Sequence, residues 1–138
     1  MKRQDISVAD LMTKGVITIG PDRLLEEAAE EMHRSDIRHL PVVDAAHHLI
    51  GILSDRDVLR VLRLRKSPKV REAMSEDVVA VQPETRACEA TALMLDRKIG
   101  ALPVIDSART LVGLLTETDF LRVAHNALGG DRLSPPDE

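Results

Sequence analysis

The sequence contains no tryptophan, no tyrosine and a single phenylalanine, Phe120. With so few aromatic faces it has nothing on which to stack nucleic-acid bases, and its core has to be built from Val, Ile, Leu, Ala and Met. Cysteine is nearly absent too: Cys88 stands alone and cannot close an internal disulfide. On the apolar side of a helical pattern, it reads as a small core residue rather than a redox sensor. Positive charge is not in excess. The formal net charge of −4 argues against non-specific nucleic-acid binding, which needs Lys and Arg facing the phosphates. No long apolar run follows Met1-Lys2-Arg3-Gln4-Asp5, so neither a signal peptide nor membrane insertion is expected, and the cytoplasm is the expected location.

What is present is a mixture of 43% hydrophobic and 30% charged residues over 138 positions. That mixture suits a globular protein with one ordinary core or two small interlocked ones. The informative feature is an internal repeat at a displacement of about 62 residues, without a gap. The first copy runs Val8, Met12, Pro21, Leu40-Pro41-Val42-Val43-Asp44, Leu49-Ile50-Gly51-Ile52-Leu53-Ser54, Asp57. The second runs Val70, Met74, Pro83, Leu102-Pro103-Val104-Ile105-Asp106, Leu111-Val112-Gly113-Leu114-Leu115-Thr116, Asp119. Matches fall on Pro, Gly and Asp as well as on apolar positions, so the copies should share a backbone path. The reading divides the chain into a first repeat over 1–62, a linker over 63–69 broken at Pro68, a second repeat over 70–128 and a fraying tail over 129–138.

Each copy opens with a short amphipathic turn, Val8 to Met12 or Val70 to Met74. A β-branched run follows, Val16 to Ile19 or Val78 to Val81, and reads as a strand. Pro21-Asp22 and Pro83-Glu84 stop that strand where a helix can begin. The helix of the first copy buries Leu24, Leu25, Ala28, Ala29 and Met32 and exposes Glu26, Glu27, Glu30 and Glu31; that of the second buries Ala87, Ala90, Leu93 and Met94. A hairpin and a final helix complete each unit. The fold class is therefore α+β, with two β-α-β-β-α repeats related by a pseudo-twofold and a parallel first crossover. A unit of roughly 60 residues is marginal alone, so the two should pack into one module.

The sharpest chemical element ends each hairpin: Gly51-Ile52-Leu53-Ser54-Asp55-Arg56-Asp57 and Gly113-Leu114-Leu115-Thr116-Glu117-Thr118-Asp119. One reading is a helix start with Ser54 or Thr116 as N-cap. Another is a ligand site, since a strand glycine permits close approach, an Asp at a helix start can accept from a vicinal diol such as ribose, and free N–H groups there can meet phosphate. The two readings are compatible.

The doubled Met-Thr/Ser start, the Leu-Pro-Val-Val/Ile-Asp strand and the Gly-x-x-Ser/Thr-x-x-Asp end resemble tandem cystathionine-β-synthase (CBS) domains, a Bateman module, over about residues 8 to 124. The resemblance implies adenosine compounds bound between the repeats, with Asp on the ribose hydroxyls and adenine between aliphatic side chains. It implies no required cofactor, AMP, ADP or ATP as regulatory ligand, a disc-like homodimer, and control of an unknown effector protein in place of catalysis. Carried over residue by residue, one cleft would use Ile17, Thr18, Arg38, His39, Thr116 and Asp119, and the other Val79, Ala80, Gly100, Ala101, Ser54 and Asp57. The clefts are chemically unequal, because Gly100 and Ala101 stand where the first copy has Arg38 and His39; Arg56 or Arg60 would have to reach a phosphate in the second. Apolar positions on the final helices, Val58-Leu59-Val61-Leu62 and Phe120-Leu121-Val123-Ala124, offer surface for the dimer.

Two alternatives remain open: a ligand-free interaction scaffold in which Ser54 and Thr116 only cap helices, and a metal-binding CBS protein using some of His33, His39, His47 and His48. None of these histidines has the spacing of a structural zinc motif. An enzyme is not expected, since no nucleophile elbow, phosphate loop or His-Glu-x-x-His is present.

Overall fold

The computed structural model describes residues 6–130 of the 138; most of the expected tail, from Asp131 on, lies outside them. In chain order the elements are α1 (Val8–Leu11), α2 (Leu25–Ser35), β1 (His39–Val43), β2 (Leu49–Ser54), α3 (Asp55–Leu64), a 3-10 turn (Val70–Glu72), α4 (Ala87–Arg97), β3 (Ala101–Ile105), β4 (Leu111–Thr116) and α5 (Glu117–Ala127). They form two compact units. One consists of Ile17–Val78 with Ala108–Leu111; the other takes the described residues up to Val16, Val79–Ser107 and those from Val112 on.

In the unit containing Ile17–Val78, β1 and β2 pair antiparallel, with His39 opposite Ser54 and a register shift between Val42 and Val43. The residues expected to form a strand before α2 contribute a single parallel bridge, Ile19 to Val42. The Ile19 N–H donates to Pro41 O and the Val43 N–H to Ile19 O, so the expected parallel direction holds while the strand is one residue long. On the other edge, Ser75 bridges Ile52. The core joins Leu25, Ala28 and Met32 of α2 to Leu40, Val42 and Leu53 of the hairpin, and to Val58 and Val61 of α3. Glu26 and Glu30 face solvent, as the helical pattern predicts, but Leu24 departs from it. It is the N-cap of α2 and 42% exposed, because the turn after Pro21 delays the helix to Leu25. Pro68, read from sequence as a break in a solvated linker, is fully buried instead. Its carbonyl accepts the Leu25 N–H at 2.8 Å, so the linker is tied to the start of α2.

The other unit repeats this design. Val81 bridges Val104 in parallel, β3 pairs with β4, and Thr13 bridges Leu114. Val8, Val81, Ala90, Met94, Leu102, Val104 and Leu115 form its core, with Phe120 packed against them. Cys88 is exposed rather than part of this core, because Ala90 and Met94 take the buried stripe of α4 and position 88 faces away from it.

The membership of the units has a definite pattern. The opening segment of each sequence repeat belongs to the compact unit that holds the other repeat's hairpin. Val8 and Ala9 donate to Thr85 O and Pro83 O, while Val70 and Arg71, 62 residues later, donate to Arg23 O and Pro21 O. The same backbone bonds therefore recur at the repeat displacement, which accounts for the matching prolines and apolar positions.

Candidate functional site

The strand-to-helix junctions gather most of the residues singled out by sequence. In the first-described unit the Asp55 N–H donates to the Arg38 carbonyl at 2.9 Å, and His39 lies opposite Ser54. Arg38, His39, Ser54 and Asp57 therefore share the end of one hairpin where α3 begins. The Ser54 hydroxyl accepts the Asp57 N–H at 3.1 Å, as an N-cap should. That bond spares the Asp57 carboxylate, whose Oδ1 meets Arg60 Nη2 at 3.1 Å. Arg38 and Arg56 are exposed, and Ile17 and Thr18 lie just before the Ile19 bridge, Ile17 with 37% of its surface exposed.

The second junction has the same residue pattern and different bonding. The Glu117 N–H donates to the Gly100 carbonyl at 3.1 Å, so Gly100 and Ala101 lie beside the start of α5. Here the carboxylate does the capping: Asp119 Oδ2 accepts from the Thr116 N–H at 2.8 Å and from the Thr116 hydroxyl at 3.4 Å. Asp119 is the buried charged residue among those described, 8% exposed. Burial raises its pKa above the usual carboxylate range, against the opposing pull of the Thr116 N–H and of Arg122, whose Nη1 is 3.8 Å from Oδ1. Sequence reasoning missed Arg122, although its spacing of three from Asp119 on a helix was a usable signal, repeated as Asp57 and Arg60. Val79 packs against the core of this unit and Ala80 is half-buried.

The two strand glycines receive a side chain and a backbone. A methyl group on Gly51 would meet Met74 Sδ at 2.7 Å and Ser75 O at 3.1 Å; one on Gly113 would meet Met12 Sδ at 2.6 Å and Thr13 O at 3.1 Å. Their close approach thus serves the Met-Ser and Met-Thr segments at the sheet edges.

Histidine chemistry is dispersed. His48 Nδ1 lies 3.5 Å from Asp44, His47 sits in a positive-φ turn position, and His33 is exposed on α2. Among the described residues no group of three or more His, Cys, Asp or Glu side chains is placed to hold a metal ion. No helix among them is long and apolar enough to cross a membrane.

With this geometry in view, the family comparison is decisive: the CBS domain matches twice, at residues 8–64 and 70–126. The chain belongs to the CBS domain family. Its fold is that of solved CBS domain pairs. The CBS pair of protein MJ0100, solved with 5′-methylthioadenosine and S-adenosyl-L-methionine, superposes with a TM-score of 0.82 at 27% identity, over 88% of this chain and 97% of that one. CBSX2, from Arabidopsis thaliana and solved with AMP, gives a TM-score of 0.81 at 26% identity, over 89% and 98%. Inosine-5′-monophosphate dehydrogenase of Methanocaldococcus jannaschii is 36% identical over 120 residues, covering 86% of this chain and 24% of that enzyme. The chain spans about a quarter of the length of the curated relatives it matches first. CBS pairs are regulatory modules, often binding adenine nucleotides.

Proposed function

We propose that this chain is a regulatory module that binds an adenine nucleotide and passes its state to a partner protein, without catalysing a reaction. The observation that carries the reading is the duplicated Ser/Thr-x-x-Asp junction in a fold whose solved neighbours hold AMP or S-adenosylmethionine. Asp57 and Asp119 supply acceptors for a ribose diol at the start of a helix. The proposed ligand residues are Ile17, Thr18, Arg38, His39, Ser54 and Asp57 on one unit and Val79, Ala80, Gly100, Ala101, Thr116 and Asp119 on the other. The first is the stronger nucleotide site, since Arg38 offers a planar, permanently charged donor set to phosphate and Gly100 offers no side chain. AMP, ADP or ATP is the ligand class, and no cofactor is required.

Homodimerisation belongs to the same reading. Leu121 of α5 and Leu128 just past its end are exposed at 66% and 86%, and Arg122, the arginine of that face, lies beside Asp119. An apolar patch of this kind favours association with a second copy.

Thermal melting with AMP, ADP, ATP, NAD and S-adenosylmethionine tests the reading, because a ligand selective for the folded state raises its melting temperature. An adenine nucleotide should raise it in proportion to the logarithm of its concentration. The alternative is a ligand-free interaction scaffold, favoured by the capping roles of Ser54 and Asp119. Under that alternative, none of the five compounds would shift the melt.

A further inference from the structure

The described methionines fall into two repeat-related pairs, Met12 with Met74 and Met32 with Met94. Met32 and Met94 belong to the cores and are 5% and 7% exposed, whereas Met12 and Met74 are half-buried against the edges of those cores. Met12 and Met74 each end a short turn, their N–H groups donating to Val8 O at 2.9 Å and Val70 O at 3.0 Å. Each lays its sulfur on a strand glycine, Gly113 or Gly51, in a space that a methyl group would already fill. The next residue is tied to the hairpin by two backbone hydrogen bonds: Thr13 and Leu114 exchange bonds of 2.9 and 3.0 Å, and so do Ser75 and Ile52. The N–H groups of the methionine, of the residue after it and of its strand partner are thus all in use.

We propose that Met12 and Met74 form a paired oxidation site, at which hydrogen peroxide converts each thioether to a sulfoxide and so releases the opening segment from the sheet edge. A sulfur lone pair attacks one peroxide oxygen, and the O–O bond breaks as the S–O bond forms. The departing hydroxide takes the proton left on the transferred oxygen and leaves as water; sulfur loses two electrons and peroxide gains them. The product is a polar acceptor in place of a flexible apolar group, and it requires a donor. The nearest polar backbone atom to each cradle is another acceptor, Ser75 O beside Gly51 and Thr13 O beside Gly113. Oxygen added on the glycine side meets the strand backbone, and oxygen added on the outer side takes its hydrogen bonds from water, which draws the side chain off the strand. The core pair is shielded from this chemistry by burial. Shortly after each edge methionine the chain passes from one compact unit into the other, between Val16 and Ile17 and between Val78 and Val79, so the loosened backbone is the stretch that leads into each crossing.

The test treats the full chain with hydrogen peroxide in a Cys88→Ser background, because Cys88 is exposed and would consume the oxidant. Peptide mapping by mass should find sulfoxide at Met12 and Met74 forming about tenfold faster than at Met32 and Met94. The oxidised protein should melt a few degrees lower, and hydrogen exchange should quicken at the Thr13, Leu114, Ile52 and Ser75 amides before it quickens within the hairpins. Methionine sulfoxide reductases acting on both sulfoxide epimers should restore the melt. Met12→Leu/Met74→Leu, which keeps apolar volume, should melt close to the parent and lose little on peroxide treatment. If that variant does not fold, reductase rescue and amide exchange in the parent decide the matter. Oxidation of Met32 and Met94 as fast as the edge pair, an unchanged melt with both edge sulfoxides formed, or an equal peroxide loss in the leucine variant would each overturn the proposal.

Discussion

Met74 lies over Gly51 so closely that a methyl group on the glycine would come within 2.7 Å of its sulfur. Ser75, the next residue, bridges Ile52 at the sheet edge. The glycine thus admits the opening segment of one sequence repeat to the hairpin of the other. Gly51→Ala should lower stability by about 1–3 kcal/mol, the usual range for overpacking a filled site. Because the thioether is flexible and the Ser75 carbonyl is not, Gly51→Ala/Met74→Ala should recover part of what the two single variants lose together. Denaturant titration of the four proteins gives the coupling, and strict additivity would show that Met74 is not what opposes the added methyl.

The left-handed residue ending α4 supplies a prediction of opposite sign. Lys98 has φ of 54° and follows the last helical turn, as Asp36 does at the end of α2 with φ of 53°. A side chain in that region is strained, and glycine is the residue that helix ends usually place there. Lys98→Gly should stabilise the protein by about 0.5–1 kcal/mol, the strain relieved less the added freedom of the unfolded chain. Unchanged or reduced stability in a thermal melt would mean that the lysine stem contributes packing worth as much as the strain.

Asp119 gives a pH signature. Its pKa is raised by burial, and a carboxyl group with a higher pKa in the folded than in the unfolded chain favours folding when protonated. The stability linked to it is fully present below the ordinary carboxyl pKa and is lost as pH rises through the folded value. Asp119→Asn removes the buried charge and keeps an acceptor for the Thr116 N–H. The variant should therefore gain melting temperature over wild type at neutral pH, and the gain should shrink on acidification through the carboxyl range. A difference that stays constant with pH would mean that Asp119 titrates as an ordinary carboxylate.

The repeat, the hairpins and all four longer helices were legible in the sequence because each rests on local periodicity or on turn chemistry. Ser54 as a cap was legible for the same reason. The short strands before α2 and α4 were not: β-branching in Val16 to Ile19 predicts extended backbone, but only Ile19 finds a partner, since ladder length is set by the neighbouring strand. Cys88 misled because Ala90 and Met94 alone suffice for the buried stripe of α4. The burial of Pro68 and the exchange of opening segments depend on tertiary packing that no local window contains. The unequal bonding of Ser54–Asp57 and Thr116–Asp119 is likewise tertiary in origin: the two junctions have one pattern, but burial differs.

The candidate ligand residues are tested by separating phosphate from ribose. Arg38 is exposed beside the α3 start, and a hydrogen bond to a charged group contributes roughly 1.5–3 kcal/mol. Arg38→Ala should therefore weaken AMP by about ten- to a hundredfold and leave adenosine, which has no phosphate, much less affected. Asp119→Ala should weaken both, because both carry the ribose diol. Since Asp119 also accepts the Thr116 N–H, its loss frays the start of α5, and Asp119→Asn serves as the control that keeps the cap while removing the charge. Calorimetric titration of the three variants with the two ligands separates the outcomes. Equal losses of AMP and adenosine on Arg38→Ala would make Arg38 a support of the fold rather than a phosphate anchor. Unchanged AMP affinity in both alanine variants would place the nucleotide away from Arg38 and Asp119 and leave the Ser54–Asp57 junction as the next to be probed.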